Sequence, residues 1–151
     1  MNDPAKLGTM ANVRTPAYRE HMQNTIEKGI CPFCELDHSK NVVIKQNRHW
    51  RVWVNPFPYD HHEHHLVIAN ARHITDIAKL TGDAWVQLGS IVRWCVREFN
   101  IPGGGLVMRF GEPSKSASTL RHLHMHIQVP DGTGPAFAVF CGKDFKGKAG
   151  D

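Results

Sequence analysis

The sequence lacks any long hydrophobic run. No window approaches the roughly 18 uninterrupted apolar residues that span a bilayer, so no membrane partner is expected. Met1 to Arg14 holds no apolar segment of the kind a secretory signal needs. No repeat or domain linker is visible. An excess of one charge is nearly missing: 18 Lys and Arg against 14 Asp and Glu leave +4 with histidine neutral. That balance suits an anionic ligand but is too mild to indicate sequence-specific nucleic-acid binding. Cysteine is scarce, at four, and without an export signal these thiols point to a reducing, cytoplasmic compartment. There, paired thiols hold metal more often than they form disulfides. What is present is an ordinary globular composition, 151 residues with 41% hydrophobic and 21% charged, enough for one domain and one core. Histidine is the anomaly. The chain has 11, and eight of them fall between His61 and His73 or between His122 and His126.

Residues 1–14 mix polar, small and helix-breaking types and read as a loosely held, flexible arm, with 15–151 as a single domain. Thr15-Pro16 starts a helix whose stripe is Tyr18, Met22 and Ile26, ended by Gly29. Cys31 to Cys34 is a tight turn. Val42 to Lys45 and His49 to Val54 form a hairpin across Gln46-Asn47, and His65 to Ala69 is a third strand. Thr75 to Leu80 forms a short helical turn. Thr81 caps a long helix running to Phe99 with Trp85, Leu88, Val92, Cys95 and Phe99 at helical spacing. Gly103 to Gly105 is a flexible connector into a fourth strand, Leu106 to Phe110. Gly111 to Ser118 is a loop, Leu120 to Val129 a fifth strand, and Phe137 to Cys141 an edge strand. The expectation is an α+β fold, a largely antiparallel sheet of about five strands against one long helix and a shorter N-terminal one.

Arg121-His122-Leu123-His124-Met125-His126-Ile127-Gln128 carries the most information. A strand alternates its side chains, so the three histidines share one face and Leu123, Met125 and Ile127 the other. The imidazoles then stand roughly 7 Å apart along the strand. Imidazole titrates near neutrality and serves as nucleophile, proton carrier or metal ligand. Upstream, Asn55-Pro56-Phe57-Pro58 is irregular and His64-His65-Leu66-Val67-Ile68 opens a hydrophobic strand.

Together these segments resemble the histidine triad (HIT) family, whose signature alternates histidine with hydrophobic residues. The resemblance spans about Cys31 to Val129 and implies a nucleotide hydrolase or transferase acting at an α-phosphate. It implies that His124 is the nucleophile and that His126 and His65 line the site and manage protons or phosphate. Thr119 matches a position where the family often has a hydroxyl on the phosphate. Ser118 stands where many members have glutamine, and Arg109 where many have asparagine. Asn55, Thr119, Ser118 and Arg109 are therefore the candidate substrate contacts. Arg109 reads equally as a surface arginine, and Thr119 and Ser118 as a polar strand entry. Arg121 should turn away from the triad face.

Cys31-x-x-Cys34 has the spacing of a zinc knuckle, and two ligands alone do not make a site. Zinc-bearing HIT proteins draw two more from histidines at positions matching His73 and His122, so the resemblance implies one structural zinc. Cys95 and Cys141 read as packing residues. The run Asp60 to His65 suits a second metal or, more simply, a solvated loop. Trp50, Trp53, Phe57 and Tyr59 offer an apolar pocket for a base, or core packing. The reading is a nucleotidyl hydrolase working through a nucleotidyl-histidine, homodimeric by family resemblance. A phosphorylase or nucleotidyltransferase, and a non-catalytic zinc-stabilised nucleotide-binding module, stand as alternatives.

Overall fold

Short runs of β-branched and aromatic residues form one antiparallel sheet in a computed structural model that describes residues 7–13, 15–138 and 140. The strands are β1 (Lys45–Gln46), β2 (Trp50–Val54), β3 (His62–Asn70), β4 (Gly105–Arg109) and β5 (His124–Pro130), in the order β1-β2-β3-β5-β4. Asn47 makes the first hairpin, its Oδ1 accepting the N–H groups of His49 and Trp50 at 3.0 Å each. Two helices of three turns or more accompany the sheet: α1 (Pro16–Glu27) and α2 (Gly82–Glu98). Each has the expected threonine cap. Thr15 Oγ1 accepts from the N–H of Tyr18, and Thr81 Oγ1 from that of Ala84, both at 3.2 Å. The α+β architecture is the one expected.

Strand alternation gives the sheet two unlike faces. Trp50, Val52, Leu66, Ile68, Leu123, Met125, Ile127 and Val129 pack on Leu88, Ile91 and Cys95 of α2. Each such buried side chain contributes about 1.5–3 kcal/mol of transfer free energy. Trp50 Nε1 donates to the Ala84 carbonyl at 2.8 Å and pins the first turn of α2 to the sheet. That contact turns the helix relative to the expected stripe. Ala84 and Ile91 are buried, while Trp85 is 45% exposed, because the tryptophan ring needs a small residue above it. The other face carries Trp53, Val67 and Ala69, packed against Phe33 and Leu36. It also carries the histidines of β5. Beyond them, α1 closes one end through Met22 and Ile26 against Leu120.

Several boundaries differ from expectation. β1 is shorter than Val42 to Lys45 implied: Val42 is 59% exposed, and the last ladder bond runs from Ile44 N–H to Val52 O. β3 begins at His62, so most of the histidine run read as a loop is strand, bulged between His62 and His64. Its pairing with β5 extends to Pro130 and outweighs its polar composition. β5 begins at His124 and not at Leu120; Leu120 pairs with Gly8 alone. The Gly111 to Ser118 loop contains one helical turn, α3 (Pro113–Ser116). Phe137, Ala138 and Phe140 lie in no strand, and Cys141 falls outside the described residues.

The largest correction concerns the N-terminal stretch. Leu7 and Val13 are buried, and Leu7 to Asn12 strap the loop ahead of β5. Thr9 N–H donates to the Thr119 carbonyl and Arg121 N–H to the Leu7 carbonyl, both at 2.8 Å. Asn12 Nδ2 donates to Ser118 O at 2.8 Å and to Pro113 O at 3.1 Å. Gly8 permits the approach: a Cβ there would lie 2.3 Å from the Thr119 carbonyl oxygen. The loop's carbonyls need donors, and this segment supplies them.

Candidate active site and metal centre

His124 and His126 project from β5 onto the face away from α2, and His122 sits in the bend just before the strand. All three still lie on one side. The Phe33 ring meets His122 and His124 edge-on at 5.6 and 5.1 Å, and His126 stands 5.1 Å from His124.

Backbone carbonyls sort these imidazoles into different roles. His124 Nδ1 lies 2.6 Å from the carbonyl of His122; only a protonated Nδ1 can donate there, so the lone pair is on Nε2. His122 is the reverse. Its Nε2 donates to the Asn70 carbonyl at 2.8 Å, leaving the lone pair on Nδ1. His65 accepts the Tyr59 N–H on Nδ1 at 3.2 Å, so its Nε2–H donates to His126 Nδ1 at 2.9 Å. Asn55 places its amide nitrogen 3.2 Å from His65 Nε2 and 3.3 Å from Nδ1.

His65, His122 and His124 stay neutral near pH 7. Burial takes His124 down to about 4, with the Arg109 cation adding and the bond to the His122 carbonyl opposing. Burial takes His65 to about 3, helped by His62 and Arg109. Arg109 stands directly opposite His124 in the β4–β5 register. It is no surface residue: it is 3% exposed, its Nη1 donates to the Ser116 carbonyl, and the Phe140 ring lies 4.9 Å from its Cζ.

His124 and Arg109 line a pocket of about 650 Å³, counting its open mouth, and His65 stands behind its wall, bonded to His126. His124, His126, Arg109, Thr119 and Asn55 meet in it; the aromatic wall is Tyr18, Phe33, Trp53, Phe57 and Tyr59. Trp50, by contrast, belongs to the α2 face. Ser118 is not brought to the pocket: its hydroxyl donates to the Leu120 carbonyl at 2.6 Å, within its own loop. Arg121 turns away as expected and bonds Glu112 at 2.7 Å. Tyr18, His21 and Met22 of α1, and Asn41, line the pocket without having been singled out. On sequence, an apolar helical stripe looks the same whether it faces a core or a ligand. Tyr18 also hydrogen-bonds Thr119 through its side chain, and burial pushes its phenol well above the usual range.

Beside the pocket, Cys31, Cys34, His73 and His122 converge, with their four ligand atoms within 4.8 Å of one another. His122 Nδ1 is 3.4 Å from Cys31 Sγ and 3.6 Å from Cys34 Sγ, and His73 Nδ1 is 3.3 Å from Cys34 Sγ. A tetrahedron with Zn–S of about 2.3 Å and Zn–N of about 2.05 Å has an S···N edge of about 3.5 Å. The donors fit. The Asn70 carbonyl holds the ring that presents Nδ1, the arrangement that orients histidine ligands.

An α+β sheet thus carries a histidine row over an aromatic pocket, with a Cys2His2 cluster beside it. No family model and no curated protein matches the sequence. Solved structures do match in fold. A HIT family hydrolase from Clostridium thermocellum superposes with a TM-score of 0.56 at 16% identity, covering 70% of this chain and 95% of that one. A histidine triad nucleotide-binding protein from Candida albicans gives 0.55 at 17% identity, covering 71% and 84%. A zinc-bound histidine triad family protein from Mycobacterium smegmatis gives 0.52 at 16% identity, covering 74% and 82%. The chain has the histidine triad fold.

Proposed function

We propose that the chain is a HIT-type nucleotidyl hydrolase acting at the α-phosphate of a nucleotide. The observation that carries this reading is the His124 tautomer: Nδ1–H is spent on a carbonyl, and a neutral Nε2 is left to a pocket walled by aromatics. Nε2 attacks the α-phosphorus, the bond to the leaving group breaks with its electron pair, and a nucleotidyl-histidine forms. Water then attacks that phosphorus, and His124 leaves as a neutral imidazole once the proton is passed on. The His65–His126 hydrogen bond supports proton transfer through that pair, and the pocket positions of Thr119 and Arg109 support their holding phosphate oxygens. Asn55 braces His65.

Cys31, Cys34, His73 and His122 would hold one structural zinc, tying the Cys31 turn to the end of β3 and the start of β5. With four protein ligands the ion has no open position; what it supplies is rigidity. We further propose a cytoplasmic homodimer. Edge strand β4 and α2 present Trp85, Val96 and Leu106 to solvent at 45, 38 and 58% exposure, a surface suited to a second copy.

A product assay tests the function across nucleoside phosphoramidates, dinucleoside polyphosphates and adenylylated acceptors, with and without phosphate. Released mononucleotide supports the hydrolase. Nucleoside diphosphate that appears only with phosphate replaces it by a phosphorylase. Binding without any product reduces the chain to a zinc-stabilised binding module.

A further inference from the structure

One polar side chain in the pocket wall takes no part in the chemistry above. Asn41 is 5% exposed, and its side-chain amide bonds none of the described residues yet is not sealed from solvent. It lines the pocket that holds His124, in company with Tyr18, Phe33, Trp53 and Phe57. Its position is fixed from behind. Asn41 N–H donates to the Asp37 carbonyl at 2.7 Å, and Asp37 Oδ1 in turn accepts from the Ser39 N–H at 3.0 Å. The amide is therefore held at the wall of the pocket by a closed turn.

Such a group keeps its hydrogen-bonding capacity open to whatever fills the pocket, where leucine would offer none. A bound ligand that completes the amide accounts for it. An asparagine side chain offers a donor and an acceptor side by side in one plane. Adenine offers the complement, its 6-amino donor beside the N7 or N1 acceptor. Aromatic side chains nearby supply stacking that is indifferent to the base, so any discrimination has to come from a polar group.

We propose that Asn41 is the specificity-determining residue of this pocket, reading the amino edge of an adenine base. The proposal rests on the nucleotide reading above and deepens it. Titration calorimetry with AMP and with purine riboside 5′-monophosphate, which has the same shape but no 6-amino group, tests it. The native chain should bind AMP about tenfold more tightly, and Asn41→Leu should bind the two alike. Purine riboside monophosphate should bind the variant no worse than it binds the native chain. Equal affinities in the native chain would overturn the role of Asn41 and leave the nucleotide site standing. So would a variant that weakens both ligands equally. Failure of the native chain to bind either compound would instead remove the nucleotide reading itself. A thermal midpoint at or above the native value shows that Asn41→Leu is folded.

Discussion

His122 and His124 stand two residues apart, touch the same Phe33 ring, and are both held neutral by burial, His122 near 3 and His124 near 4. They are nevertheless opposite tautomers. The Asn70 carbonyl takes the Nε2 proton of His122 and turns Nδ1 to the thiols of Cys31 and Cys34. The His122 carbonyl takes the Nδ1 proton of His124 and turns Nε2 to the pocket. Which carbonyl lies within reach decides which ring nitrogen keeps its lone pair, and so whether it faces the thiols or the pocket. The side chains themselves are identical, so the division of labour is written in the backbone.

The sharpest way to break that comparison is at the nucleophile. His124→Ala should lower turnover at least about a thousandfold while metal content and thermal midpoint stay near native. Denaturing the native protein during turnover should leave nucleotide attached to His124; unchanged activity in the variant would end the mechanism.

At the other end the signature should invert. Cys31→Ser with Cys34→Ser should lose about one zinc per chain and lower the thermal midpoint by roughly 10 °C or more. Activity should fall only as far as the geometry around His124 loosens. Metal analysis of untagged protein decides this, and a native chain that is metal-free yet fully active refutes the centre.

Both ends share a pH response. His65, His122 and His124 have folded-state values depressed to about 3, 3 and 4 from an ordinary 6.5. Between those limits the unfolded chain binds more protons than the folded one, so stability increases with pH across that window. It should be fully present above about 6.5 and lost as pH falls toward 3; a chemical-denaturation series at fixed salt would show it. A flat profile there would mean these rings are wetter than their burial implies.

Smaller effects belong to the phosphate contacts. Arg109→Ala should raise KM for polyphosphate substrates about tenfold and flatten its salt dependence, whereas Arg121→Ala should change KM less than twofold. Steady-state kinetics at two ionic strengths separates them. Least of all, Ser118→Ala should leave KM unchanged and cost about 1 kcal/mol of stability, for its hydroxyl serves its own loop.

The strands of the central sheet were legible because alternation over Leu123 to Val129 and a continuous apolar run over Leu66 to Ala69 leave little choice of face or register. The candidate metal ligands and the pocket histidines were expected from spacing plus family resemblance; the four Cys and His donors converge, and His124 and His126 line the pocket with His65 bonded to His126. Other features were hidden for physical reasons. His62 to His64 looks like a loop because pairing with β5, a non-local property, is what makes it strand. Trp85 fits a helical stripe as well as Ile91 does, and only the Trp50–Ala84 contact chooses between them. Tyr18 and Asn41 carry no motif. Ser118 sat at a family position, but its own carbonyl neighbourhood captured the hydroxyl first.

The strap of Leu7 to Asn12 has a consequence for how the protein can be handled. The strap and the loop it holds lie 106 residues apart at the Asn12–Ser118 contact, so the loop ahead of β5 depends on a pairing between distant parts of the chain. Such a protein cannot acquire its working site during synthesis before the histidine strand has emerged. A chain trimmed of this segment loses the donors that the Thr119 and Ser118 carbonyls accept from, so the protein should be handled with the segment in place.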